Sequence, residues 1–121
     1  MISGIDLNGT SDYTLKDDKT EPTTWKLGTF SSYIHAKIGG MNQKDSAGNA
    51  FTMAQLGIRG WENFKIAGVD VKFETETQTI FDRQMEVVPM KLIELIPLTA
   101  LMELVGQILK NCGLGADEQK N

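Results

Sequence analysis

Regular alternation over eleven residues restricts the folds open to this chain more than any other feature. One face of an extended segment would carry Val69, Val71, Phe73, Thr75, Thr77 and Thr79. The residues between them are charged or amides. Because side chains of a strand point alternately to its two faces, the pattern predicts a long strand with one face in solvent.

The same alternation continues after a turn signal, so the strand is expected to belong to a β-hairpin. Met85 and Val87 alternate with polar neighbours beyond Phe81-Asp82. Hairpins of this kind are typically closed by Asn-Gly or Asp-Gly, and Phe-Asp is a poor pair for a two-residue turn. We therefore expect a longer connecting loop.

The C-terminal third changes to helical spacing. Pro89 and Pro97 each suit the first position of a helix, which predicts a short helix from Met90 to Ile96 and a longer one from Pro97 to Cys112. Gly113 is expected to end the longer helix. The buried face of that helix is predicted to comprise Leu98, Leu101, Met102, Val105, Ile108, Leu109 and Cys112.

The first half of the chain mixes strands and helices. Thr23–Leu27 has the β-branched and aromatic content of a strand and is expected to pair with an earlier strand near Tyr13. Phe30–Ile38 fits either a short helix, capped by Ser31 or Ser32, or a third strand. Residues 42–48 predict an exposed mobile loop. A helix is expected over Ala50–Arg59, with Asn49 as N-cap, Gly60 at its end and Gly57 weakening it by about 1 kcal/mol.

Together these segments predict a single α+β domain over residues 1–121. A small antiparallel sheet, formed by the Thr23 region and the hairpin, is expected to pack against the C-terminal helices. Residues 1–22 are expected to form an extended N-terminal arm, and residues 115–121 a polar tail.

Composition excludes several classes of function. The chain has 121 residues, 12 basic and 16 acidic, and a net charge of −4, without the basic cluster of a nucleic-acid-binding protein. The longest uncharged part of its most apolar region, Leu95 to Met102, is far shorter than the ~20 residues of a membrane span. Cys112 is the only cysteine, which fits a reducing compartment or a virion assembled in one.

No set of residues suggests catalysis. His35 is the only histidine, and the sequence has no Cys/His pairing that could hold a metal ion. Cys112 is predicted at a helix C-terminus, where the helix dipole raises a thiol pKa. Glu74 and Glu76 fit the solvated face of a strand better than an acid–base pair. We therefore expect a protein that is not an enzyme and that needs no cofactor or metal.

Two groups of apolar residues are candidates for a protein interface, although the domain core could also account for them. Trp61 and Phe64 lie in a short aromatic segment, and buried aromatic residues often dominate interface energies. The second group surrounds the first predicted C-terminal helix on nearly all sides, more than one core-facing stripe requires. The apolar excess extends from Met90 to Val105. Around the first helix it comprises Met90, Leu92, Ile93, Leu95 and Ile96, of which the first four are the candidate contact residues.

Several motifs together resemble small accessory proteins from the structural gene modules of tailed bacteriophages. They include Leu56-Gly57-Ile58-Arg59-Gly60-Trp61-Glu62-Asn63-Phe64, Val71-Lys72-Phe73-Glu74-Thr75, Glu86-Val87-Val88-Pro89 and Leu95-Ile96-Pro97. Tyr13 to Asp18, Pro22 to Gly28 and the closing Glu118-Gln119-Lys120-Asn121 fit the same group. One departure is Ile66-Ala67-Gly68, where related proteins tend to have an acidic turn, which leaves the shape of that turn open.

The resemblance implies a role in virion morphogenesis, as a tail-assembly chaperone or as a minor structural subunit of the head, connector or tail. It implies no catalytic residues. The expected partners are other phage structural proteins or further copies of this chain, without nucleic acid or membrane, in the virion or in the host cytoplasm during assembly. The alternative is a small acidic regulatory or inhibitory protein that binds a single host protein.

Overall fold

A computed structural model describes residues 2–40 and 46–112 of the chain. Its strands are β1 (Thr10–Tyr13), β2 (Thr24–Gly28), β3 (Ile58–Glu62), β4 (Lys65–Ile66), β5 (Val69–Asp70), β6 (Glu76–Ile80) and β7 (Arg83–Val87). Its helices are α1 (Ser32–Gly39), α2 (Ser46–Gly57), α3 (Met90–Ile93) and α4 (Leu98–Asn111). Helices and small antiparallel sheets pack together, so the α+β class is confirmed.

A three-stranded antiparallel sheet in the order β1-β2-β3 forms the largest sheet of the described residues. The predicted pairing of the first two strands is confirmed, with Tyr13 opposite Trp25. The other neighbour of β2 is β3, not the predicted hairpin. Lys26 pairs with Gly60 and Leu27 with Ile58, so Arg59 is an extra residue, and a β-bulge of this type redirects the side chain that it carries.

The remaining strands form two separate hairpins. Ile66 pairs with Val69 across Ala67 and Gly68, so the turn predicted there is confirmed. Ile80 pairs with Arg83, and the loop between β6 and β7 therefore has two residues. The expectation of a longer loop is wrong, because Phe81 and Asp82 both adopt left-handed conformations, with φ of 51° and 64°. Positive φ at both central residues is what a tight type I′ turn requires.

The long predicted strand is interrupted in the structure. Residues 71–75 belong to no strand, and the alternation changes phase across them. Val71 and Phe73 are half-buried as expected, but in β6 the inward-facing residues are Gln78 and Ile80, whereas Thr77 and Thr79 are exposed. A single irregular residue is enough to reverse the faces, since the side-chain period of a strand is two.

The two helices of the first half are present, with different boundaries for the second. The side chain of Ser31 caps α1, accepting a hydrogen bond from the backbone nitrogen of Ile34 at 3.2 Å. Helix α2 begins at Ser46, so part of the predicted 42–48 loop is helical, and residues 41–45 lie outside the described residues. It ends at Gly57, because residues from Ile58 onward pair with β2; Asn49 and Gly60 therefore cap neither end.

The C-terminal helices are also present, but their bounds and faces differ from the prediction. Pro89 and Pro97 are the N-cap residues of α3 and α4, one position before the first helical residue, and α3 ends at Ile93. The buried face of α4 consists of Leu101, Leu104, Val105 and Ile108. Leu98 and Met102, predicted to be buried, are exposed. Gly113 and the polar tail 115–121 lie outside the described residues.

The core lies between α4, α2 and the strands. A Cβ atom at Gly57 would lie 2.6 Å from Cδ1 of Ile108, so the glycine allows α2 and α4 to approach closely. Gln55 is buried in α2, and its amide donates to the carbonyl of Val88 at 2.9 Å, linking α2 to the end of β7. Within residues 2–40 and 46–112, no helix has the length and apolar content needed to cross a bilayer.

Candidate protein-contact surface

The aromatic candidates Trp61 and Phe64 lie in the core. Each is 8% exposed, and their ring centroids are 5.2 Å apart in an edge-to-face arrangement. Trp25 lies 5.8 Å from Trp61 and 5.1 Å from Phe64, and Phe73 lies 4.9 Å from Trp61. The indole nitrogen of Trp61 donates to the carbonyl of Val71 at 2.8 Å. This four-ring cluster explains the two residues as anchors of β3 and of the chain that follows it.

The second group of candidates is divided between the core and the surface. Ile93 has no exposed surface, and Met90 and Leu92 are half-buried against the core. Leu95 is 45% exposed, in the turn between α3 and α4. Of the six residues predicted from the sequence, only Leu95 therefore presents a large apolar side chain to the outside of the folded chain.

An exposed apolar surface begins three residues after Leu95, on two side chains that were predicted to be buried. Leu98 is 57% exposed and Met102 is 47% exposed, and Gly106 and Lys110 are also exposed. Residues four apart lie on one side of a helix, so these four form a single row, here called the outer α4 ridge. Sequence periodicity did not indicate this surface, because Leu98 and Met102 lie at helical spacing from Leu101 and Val105. In the fold, the burial of Leu104 turns the buried face away from Met102.

One flank of the ridge is held to the N-terminal part of the chain through Glu103. Its carboxylate accepts hydrogen bonds from the Tyr13 hydroxyl at 2.5 Å and from the Lys16 backbone nitrogen at 2.9 Å. The hydrogen bond to the carboxylate raises the pKa of Tyr13 to about 12, and burial adds to the effect. The same hydrogen bonds lower the pKa of Glu103. The first turns of α4 are thus fixed against β1.

The part of the N-terminal arm that precedes β1 is attached to the rest of the chain at the end nearest to that strand. The Thr29 hydroxyl donates to the carbonyl of Asp6 at 3.1 Å, and the Arg59 guanidinium donates to the carbonyl of Leu7 at 3.0 Å. Further out, Ile2 is 95% exposed, and Ile5 is also exposed. The β-bulge explains the reach of Arg59, whose side chain crosses Gly28 to make this contact.

A cavity of about 280 Å³ lies between the arm, α1 and β7. Arg59 and Arg83 line it together with mostly apolar side chains. Arg59 donates to the carbonyls of Leu56, Leu7 and Thr29, and Arg83 lies 3.7 Å from the ring centroid of Tyr33. Both guanidinium groups thus serve contacts that hold neighbouring segments in place.

Cys112 and His35 were the residues considered for nucleophilic and metal chemistry. Burial raises the pKa of the Cys112 thiol, and the Phe30 backbone and the Arg59 charge only partly oppose it. Nε2 of His35 is buried without a hydrogen-bond partner among the described residues. Those residues also contain no group of three or more histidine, cysteine or acidic side chains that could hold a metal ion.

The exposed outer α4 ridge, with Leu95 at its N-terminal end, is therefore the best candidate site on the described surface. No protein-family model, curated protein or solved structure matches this chain.

Proposed function

We propose that this protein is a non-enzymatic structural or assembly protein of a tailed-bacteriophage virion and that it works through protein–protein contacts. The roles considered are a minor head, connector or tail component and a tail-assembly chaperone, in the virion or in the host cytoplasm. The sequence resemblance supports the phage context. The outer α4 ridge is the observation that carries the protein-contact role, since α4 already buries a complete apolar face on its other side.

The energy available from the ridge indicates the kind of contact. Leu95, Leu98 and Met102 each retain about half of their exposure. Full burial of such a side chain is worth roughly 1.5–3 kcal/mol, so burying the rest of all three would stabilise a complex by roughly 3 kcal/mol. This is less than the cost of association, at least ~4 kcal/mol. The ridge would therefore be the centre of a larger contact, to which neighbouring polar residues contribute.

The test is capture of structural proteins from the same particle. Tagged wild-type protein is mixed with the unassembled major head and tail proteins, and the same is done with Leu98→Lys. Thr99→Lys is the matched control, because Thr99 is exposed on the same helix turn but outside the ridge. We expect the wild type and the Thr99 variant to retain a head or tail protein and the Leu98 variant to lose it.

Mass spectrometry of purified particles separates the two roles. A structural subunit is present there in fixed proportion, whereas a chaperone is absent from finished particles. If all three proteins capture no structural protein and none is found in particles, the proposal is wrong. Retention of one host protein instead would favour the regulatory alternative.

A further inference from the structure

The outer α4 ridge has a shape that complements itself. Leu98 projects at one end, Met102 lies in the middle, and Gly106 leaves a notch at the other end. A Cβ atom at Gly106 would meet no atom within 4 Å among the described residues. Glycine in a helix interior costs about 0.5–1 kcal/mol relative to alanine. Packing among the described residues gives no reason for this glycine.

We propose that the ridge is the contact between two copies of this chain, with the two α4 helices antiparallel around a two-fold axis at Met102. Leu98 and Gly106 are each four residues, or about 6 Å, from Met102 along the helix. Around such an axis, Leu98 of each copy fills the notch at Gly106 of the other. A two-fold contact of this kind is isologous, because one patch faces itself.

The charges at the two ends of the ridge agree with this arrangement. Glu94 lies in the turn before α4, and Lys110 lies in its last turn; both are exposed. Neither forms an ion pair with another described residue. In the antiparallel dimer, the end of α4 that carries Glu94 in one copy lies beside the end that carries Lys110 in the other. A parallel arrangement would instead bring like charges together, which costs binding energy.

The contact is small, so the dimer should be weak and should depend on concentration. The first measurement is the mass in solution by sedimentation equilibrium from low micromolar to millimolar protein. We expect it to rise from the 13.4 kDa of one chain towards twice that value. Met102→Glu places two carboxylates at the axis, and Gly106→Leu fills the notch. Each should weaken the dimer at least ~10-fold, with circular dichroism confirming that the variant is folded.

A charge exchange tests the antiparallel direction. Glu94→Lys or Lys110→Glu alone should weaken the dimer, whereas the double variant should restore it. The control is Glu74→Lys, which makes the same change of charge at an exposed position outside the C-terminal helices. It should leave the dimer unchanged. Failure of the double variant to recover would overturn the antiparallel arrangement.

Cross-linking tests the two-fold axis directly. In a Cys112→Ser background, the Met102→Cys variant should form a disulfide between the two copies, because a residue on the two-fold axis lies next to the same residue of the other copy. Gly106→Cys alone should not, but a mixture of Gly106→Cys and Leu98→Cys should form a mixed dimer. A chain that stays monomeric at millimolar concentration, or a dimer unaffected by Met102→Glu and Gly106→Leu, would overturn the proposal.

The inference rests on the proposed function only in treating the ridge as a protein-contact surface, for which a second copy and a captured phage protein would compete. The two can fail separately. A dimer that captures no phage protein would refute the function and leave the dimer standing. A monomer whose Leu98→Lys variant loses a phage protein would refute the dimer and support the function.

Discussion

Alanine at Gly57 should destabilise the protein, whereas alanine at Gly106 should stabilise it. Both glycines are in helices, so helix propensity alone would favour alanine at each position. Their surroundings differ, however. A Cβ atom at Gly57 would lie 2.6 Å from Cδ1 and 2.7 Å from Cγ2 of Ile108, while one at Gly106 would have open space. Ile108 has no exposed surface, so it cannot move aside towards solvent.

The two effects can be given magnitudes. Forcing an extra methyl group into a packed core costs about 1–3 kcal/mol. The propensity gain is about 1 kcal/mol in a helix interior and smaller at Gly57, the last residue of α2. We therefore expect a net loss of about 1–2 kcal/mol for Gly57→Ala. For Gly106→Ala the gain alone applies, about 0.5–1 kcal/mol.

The assay is urea unfolding followed by circular dichroism, with thermal unfolding as a second measure. Both variants are made in the Met102→Glu background, so that self-association does not contribute. At about 3–5 °C per kcal/mol for a chain of this size, the two melting temperatures should differ by roughly 5–15 °C.

A double-mutant cycle checks the stated cause. Ile108→Val removes one of the two crowding groups, so Gly57→Ala should cost less in that background than in the parent. Equal costs in both backgrounds, or a stabilising Gly57→Ala, would refute the argument from close packing.

Three further predictions concern the core, the Tyr13 contact and the arm. Leu101→Asp places a charge at a fully buried position and should unfold the domain, whereas aspartate at the exposed Met102 should leave it folded; circular dichroism distinguishes them. The pKa of Tyr13 is raised to about 12, so the folded state holds the phenol proton more tightly than the unfolded chain does. The stabilisation that Tyr13 contributes is therefore complete below about pH 10 and is lost as pH rises towards 12. Glu103 has a lowered pKa, so its contribution to stability is present above about pH 4.3 and is lost as pH falls through its folded pKa. Tyr13→Phe should therefore flatten the dependence of the urea midpoint on alkaline pH and weaken its dependence on acid pH. Arg59→Met removes hydrogen bonds to three carbonyls and should lower the free energy of unfolding by about 2 kcal/mol. It should also speed proteolysis of the residues before β1. An unchanged cleavage rate would contradict the role of Arg59 in holding those residues.

Local chemistry accounts for the parts of the fold that sequence reasoning predicted. Ser31 caps α1 because its side chain satisfies a free backbone nitrogen of the first turn. Pro89 and Pro97 lie at the starts of α3 and α4, since proline lacks the donor that a helix interior needs. The strand pair formed by β1 and β2 follows from its own residues in the same way.

The errors occur where distant contacts outweigh local preference. Ile58 and Arg59 were predicted to be helical, but they belong to β3, a strand that pairs with β2, some thirty residues earlier in the chain. Phe81 is a poor residue for left-handed φ, yet it is half-buried against the core, and its carbonyl accepts a hydrogen bond from Tyr33 at 3.4 Å. Such strain, about 1–3 kcal/mol, persists only where surrounding contacts hold it.

The candidate site shows the same division. The apolar excess near α3 and α4 was evident in the sequence, but three of the four contact residues predicted there are buried or half-buried in the fold. Which side of α4 faces the core depends on its packing against α2, where Gly57 meets Ile108.

The sequence by itself determined the α+β class, the presence of most helices and strands, and an apolar C-terminal region larger than one helix face requires. Hydrophobic period, caps and prolines act over a few residues, so they can be recognised without the fold. Only the tertiary structure decided that β3 is the second partner of β2, and it alone set the phase of β6. It also decided that Leu98, Met102 and Gly106 lie outside, because orientation is set by the fit between segments far apart in the chain.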